Sequence, residues 1–109
     1  MDIQNAIIES ATISSERGIL SAWLYLKYNG SGQGFGGYVL YLPQGLTHLA
    51  NRKNYAGHFI FRCMEIAGVS RWEDLKGRAI RVKGSYGGIE SIGHIIKDDW
   101  FDPKKDFQE

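Results

Sequence analysis

From Ile19 to Tyr28 the chain alternates: Leu20, Ala22, Leu24 and Leu26 fall on one face, Trp23, Tyr25 and Lys27 on the other. A period of two belongs to a β-strand, and aromatic side chains on the second face suit a pleated sheet better than a helix. A strand needs partners, so this run commits the chain to a sheet. Residues 1–15 carry Ile3, Ala6, Ile7, Ile8, Ala11 and Ile13 among polar neighbours, the pattern of an outer strand. Ala6-Ile7-Ile8 breaks strict alternation there, which leaves a short helix as the alternative. Ser14 to Gly18 is a polar turn closed by glycine. Asn29–Gly37 reads as a loop, with glycine at 30, 32, 34, 36 and 37. Tyr38–Leu42 resumes as a strand that Pro43 ends, because proline cannot donate to a central ladder.

After a polar connection over 44–54 the period changes. Phe59, Ile60, Cys63, Met64 and Ala67 recur at helical spacing, with Gly68 placed as the C-terminal cap. Ser70 and Glu73 predict a capping box for a short helical turn over Arg71–Leu75. Arg78–Lys83 then alternates, Ser85–Gly88 is a hairpin turn, and Ile89–Lys97 is the return strand. Strands at both ends with no βαβ alternation predict an α+β fold, a mainly antiparallel sheet with one long and one short helix packed on it. The 109 residues allow one domain, 1–109, with one core.

Charge excludes one class of function. Thirteen Lys/Arg against twelve Asp/Glu leave +1, too little for a general nucleic-acid-coating protein. A single cysteine, Cys63, cannot form an internal disulfide. With no charged and apolar leader at the N-terminus, it points to a reducing cytosol. The longest apolar run, Ile19–Leu26, is far short of the roughly 20 residues of a membrane helix.

The glycine segment contains G-x-G-x-x-G as Gly32, Gly34 and Gly37. A dinucleotide fingerprint requires a helix directly after it, and Tyr38-Val39-Leu40-Tyr41 is a strand pattern. A bulged hairpin, a subunit contact or close approach to a ligand all remain open for it. Arg62 falls off the apolar helix stripe, as a solvated charge or a ligand contact. Arg81 and Lys83 share one strand face near Tyr86 and His94, where two cations beside aromatics could take a phosphate and a base. An ordinary solvent face explains them equally well. Cys63, His48, His58 and His94 have no metal-ligand spacing. Cys63 sits on the core stripe, adjacent Asp98 and Asp99 would point to opposite faces, and no catalytic motif is readable, so no catalytic residue is assigned.

Taken in order, Gly18-Ile19-Leu20, the run Gly30 to Tyr38, Gly57-x-Phe59-Ile60-x-Arg62, Trp72-Glu73-Asp74-Leu75-x-Gly77, Arg81-Val82-Lys83 and Ile92-Gly93-His94-x-x-Lys97-Asp98-x-Trp100-Phe101 resemble the first family of phage Thoeris anti-defence proteins. The matched blocks span about Gly18 to Pro103, and 42–54 matches nothing in the pattern. The resemblance implies a sponge, not an enzyme. It would bind glycocyclic ADP-ribose, made by TIR-domain proteins of Thoeris immunity, in the host cytoplasm and hold it intact without a cofactor. Such proteins assemble as homodimers or as hexamers, with signal pockets at subunit contacts, and hexameric ones also capture cyclic trinucleotides. At the matched motifs, ligand chemistry singles out Gly34, Phe35 and Gly36, Arg62, Arg81 and Lys83, and His94 with Lys97 as contacts. Trp23, Trp72 and Trp100 are left to the core or a subunit interface. The alternative function is a phage single-stranded nucleic-acid-binding accessory protein, with Tyr25, Tyr28, Tyr38 and Lys27 as its stacking platform.

Overall fold

The computed structural model describes residues 2–16, 19–28, 30–36, 55–85 and 88–106. It is an α+β fold built on a six-stranded, wholly antiparallel sheet: β1 (Asp2–Glu16), β2 (Ile19–Tyr28), β3 (Ser31–Gly36), β4 (Ala79–Ser85), β5 (Gly88–Gly93) and β6 (Trp100–Phe101). Helix α1 (Tyr55–Ala67) lies between β3 and β4 in the chain, and a single helical turn, α2 (Pro103–Asp106), follows β6. The spatial order is β3-β2-β1-β4-β5-β6.

The long first strand holds this order together. Asp2–Ile7 of β1 pair with β4, and Ile7–Glu16 pair with β2 on the opposite edge. Its register shifts between Ile8 and Ser10, so Ile8 faces Leu26 while Ala11 faces Leu24. The broken alternation in the sequence is therefore one strand with a bulge, not a helix, and that strand lies inside the sheet between β2 and β4 rather than at its outer edge. A bulge adds twist, and the sheet curls until β3 and β5 touch.

The inner face holds the core: Ala6 and Ile8, Ala22, Leu24 and Leu26, Phe35, Ile80 and Val82, Ile92 and Phe101, against Phe59, Cys63 and Ile66 of α1. Of the helical stripe read from the sequence, Phe59 and Cys63 are buried, Met64 and Ala67 are partly buried against the core, and the buried face is completed by Ile66. Gly68, at φ +73°, ends α1 in a Schellman motif: Val69 N–H donates to Met64 O at 3.0 Å and Gly68 N–H to Glu65 O at 3.2 Å.

Three expectations need correction. The glycine segment is strand β3, not a loop. Its outward positions 32, 34 and 36 face Lys27, Tyr25 and Trp23. Two of these have little room for a side chain: a Cβ on Gly34 would stand 3.0 Å from the Trp23 ring, and one on Gly36, at φ +130°, would stand 2.2 Å from Ala22 O. Gly34 is bare where the neighbouring strand's indole lies on it, and Gly36 where the main chains approach closely. Second, the return strand stops at Gly93 rather than Lys97, and residues 94–99 turn back to deliver β6. Third, the short helical turn spans Trp72–Asp74 and starts at Arg71 without a side-chain cap, so Ser70 and Glu73 form no capping box. Arg71 instead pairs with Asp74, Nε to Oδ2 at 3.0 Å. The expected strand at Tyr38–Leu42 and the polar connection at 44–54 lie outside the described residues, as do Tyr86, Gly87 and His48.

Candidate functional site

On the outer sheet face the ladder sets Arg81 opposite Gly93, and Gly93 opposite Trp100. Gly93 supplies a bare patch on which the indole lies: a Cβ there would stand 2.6 Å from Trp100 Cε3. The ring thereby reaches across β5 to β4. Arg81 Cζ sits 5.0 Å and Lys83 Nζ 4.1 Å from an indole ring centroid, both within cation–π range. Arg81 and Lys83, two residues apart on one strand face, project about 7 Å from each other at roughly 3.3 Å per residue.

The guanidinium is fixed from behind. Its Nε donates to His94 O at 2.7 Å and its Nη2 to Lys97 O at 2.7 Å. Both acceptors are main-chain carbonyls of the turn after β5. The turn is held by its own histidine, whose Nδ1 accepts the N–H groups of Ile96 and Lys97, each at 3.0 Å. His94 N–H donates to Asp99 O at 2.9 Å and closes the loop. Asp98 accepts from the indole Nε1 of Trp100 at 3.1 Å. The ion pairs among the described residues include neither Arg81 nor Lys83. The site is two cations without a paired carboxylate, beside a half-buried aromatic plane.

Four residues singled out from the sequence thus converge: Arg81, Lys83, His94 and Lys97. Lys97 contributes its carbonyl to the cluster. The other four lie elsewhere. Phe35 is fully buried, 5.8 Å from the Phe59 ring in a stacked arrangement and 6.2 Å from Phe101 edge-on. Gly34 and Gly36 carry the packing of β2 on β3.

Arg62 is a clamp between α1 and β6. Its Nη2 donates to Asp99 Oδ1 at 2.9 Å and to Trp100 O at 2.9 Å, and Nη1 pairs with Glu65 on the same helix. It grips the main chain of β6 from the core side, while Arg81 and Lys83 meet the ring from the outside. The hydrogen bonds from Arg62, and its charge, hold the Asp99 carboxyl below the usual carboxylate range. A carboxylate with a lowered folded-state pKa stabilises above its unfolded value and loses that contribution as pH falls through the folded one. Because Asp99 is 39% exposed and Arg62 17%, screening holds the pair to about 1 kcal/mol. Asp99→Asn is therefore expected to cost about 1 kcal/mol at pH 7 and almost nothing near pH 2, as read by urea unfolding at the two pH values.

Sequence reasoning left Trp100 to the core or an interface. The signal for it was the glycine at position 93, facing a tryptophan on the strand face that Arg81 and Lys83 share. Among the described residues, Cys63 and His58 are engaged in structure. Cys63 is buried, and burial pushes its thiol far up, away from the thiolate a nucleophile needs. His58 Nε2 and Asp106 Oδ2 lie 2.7 Å apart, tying α1 to α2. Among the described residues no group of three His, Cys, Asp or Glu side chains could hold a metal ion. Among them, too, no helix is long and apolar enough to cross a membrane.

Comparison with family models, curated proteins and solved structures returned no match for this chain.

Proposed function

We propose that this protein binds glycocyclic ADP-ribose in the host cytoplasm and sequesters it unchanged, acting as a phage anti-defence sponge. The observation that supports the reading is the pair Arg81 and Lys83, in no ion pair among the described residues, beside the Trp100 indole. A cyclic ADP-ribose derivative presents a pyrophosphate with about two charges and one purine face. Two cations meet the first requirement, and an aromatic or guanidinium plane meets the second, worth roughly 1–3 kcal/mol per stacked base. The resemblance in sequence supplies the identity of the nucleotide. It also extends the proposal to a homodimer or hexamer in which two chains meet one ligand, and to cyclic trinucleotides in the hexamer. A sponge competes with a receptor for scarce messenger, so nanomolar affinity, about 12 kcal/mol, is the expected scale.

Native mass spectrometry with and without glycocyclic ADP-ribose tests this, followed by heating and chromatography of what is released. The expected result is an oligomer that gains one ligand mass per pocket and returns the ligand intact. No mass gain at micromolar ligand overturns the reading, and recovery of a cleaved product replaces the sponge with a hydrolase.

A second reading rests on a different observation. Trp23 and Tyr25 are 37% and 50% exposed on the outer face, their ring centroids 6.5 Å apart and nearly parallel, with Lys27 following on the same face. Such a platform suits unpaired bases. Oligonucleotide binding that falls steeply with salt favours this reading over the first.

A further inference from the structure

We propose that His94 is the positioning residue of the Arg81–Lys83–Trp100 site and makes it pH-sensitive, a reading that rests on this cluster being the nucleotide site. Nδ1 of His94 accepts two main-chain N–H groups, from Ile96 and Lys97, at 3.0 Å each. An imidazole nitrogen accepts only while it carries no proton. In this turn the ring does what the side-chain oxygen of an asparagine does at a helix start or Asx-turn, folding the next three residues back over itself.

Those bonds place Lys97 O and His94 O side by side, and Arg81 spans the two with its Nη2 and Nε. The chain of dependence is short: His94 Nδ1 shapes the turn, the turn presents two carbonyls, and the carbonyls aim the guanidinium beside Trp100. Protonating Nδ1 turns the acceptor into a donor that faces two other donors. The turn then loses both bonds, and Arg81 loses the geometry that its acceptors impose. A guanidinium that must be reordered by the ligand binds it more weakly than one already held. Histidine is the side chain whose charge ordinarily changes between about pH 5 and 8.

The charges that face His94 decide whether another group could produce the same effect. Arg81 and Lys83 come from β4, Lys97, Asp98 and Asp99 from the turn itself, and Arg62 from α1 through Asp99. Asp99, held low by Arg62, stays ionised across this range. The pyrophosphate diester of the ligand does not titrate there either. A protonated His94 adds one positive charge near the anion, which favours binding. Loss of the guanidinium's fixed geometry opposes it and is the larger effect, because the added charge stands in solvent-screened surroundings.

The test is calorimetric titration of the full chain with glycocyclic ADP-ribose at pH 8 and pH 5, for the natural protein, His94→Ala and His94→Asn. The expected affinity falls about tenfold from pH 8 to pH 5 in the natural protein. His94→Ala is expected to bind about tenfold more weakly at both pH values. His94→Asn, whose Oδ1 can accept the same two N–H groups without titrating, restores most of the affinity lost in His94→Ala and flattens the profile. A natural protein with equal affinity at both pH values, or an asparagine variant that keeps the pH dependence, overturns the proposal while leaving the nucleotide reading intact. Absence of binding at either pH overturns the nucleotide reading. The turn is then judged in the ligand-free protein by hydrogen exchange at the Ile96 and Lys97 amides. Protection that falls toward pH 5 in the natural protein but not in His94→Asn upholds the positioning role, and equal protection in both refutes it.

Discussion

Phe35→Ala is expected to destabilise the protein by about 3–5 kcal/mol, the range for deleting a buried phenyl ring. The ring is 1% exposed and stacks on Phe59, while Phe101 meets both edge-on, at 6.2 Å from Phe35 and 5.6 Å from Phe59. These three residues come from β3, α1 and β6, so the cavity would open where both ends of the strand order meet the helix. For a chain of this size the loss corresponds to a fall in Tm of about 4–8 °C per kcal/mol, which exceeds the margin of many domains. Thermal unfolding by circular dichroism measures it. A variant that melted within 3 °C of the natural protein would remove Phe35 from the core and return it to the list of ligand contacts.

Arg81→Ala is expected to weaken glycocyclic ADP-ribose binding by about two decades, or roughly 3 kcal/mol, as a charge-assisted contact to phosphate is lost. Arg81→Lys is expected to recover little. An ammonium cannot span His94 O and Lys97 O with a planar fork while presenting its remaining donors to an anion. Titration calorimetry on both variants, with melting curves to show that each is folded, measures the effect. Affinities within threefold of the natural protein would take the nucleotide away from this cluster.

Several parts of the molecule are plain in the sequence because they follow from local physics. The alternation of Ile19–Tyr28 names its element and its buried face, and the stripe Phe59, Ile60, Cys63, Met64, Ala67 names a helix whose buried face is centred on Phe59 and Cys63. Gly68 marks the end of α1 for a conformational reason that acts on one residue. The parts that were misread depend on partners far away in the chain. Glycine has a low β propensity, so Ser31–Gly36 reads as a loop until Trp23 and Tyr25 are seen to lie across it. Ile95 and Ile96 look like the continuation of a strand, yet Ile96 is 83% exposed. The chain leaves the sheet there because the turn is held by hydrogen bonds from its own His94, from Arg81 of β4 and from Arg62 of α1. For the site, ligand chemistry at the motifs that carry the resemblance singles out Arg81, Lys83, His94 and Lys97 together with Gly34, Phe35, Gly36 and Arg62. It could not separate a binding arginine from a clamping one, since the two are told apart by what faces them: two carboxylates and a carbonyl at Arg62, carbonyls alone at Arg81.

The meeting of Phe35, Phe59 and Phe101 also sets an order of events in folding. β1 and β2 are neighbours in the chain, as are β4 and β5, and each pair closes over a short span. The phenyl cluster instead joins segments from opposite ends of the strand order, and the entropy of closing such long loops is lost before any ring contact repays it. Contacts of that kind are expected to form after the transition state, so that Phe35→Ala speeds unfolding in stopped-flow measurements and leaves the rate of folding nearly unchanged. The rings act as a latch on a curled sheet. They set how long the folded molecule persists, while its hairpins set how quickly it is reached.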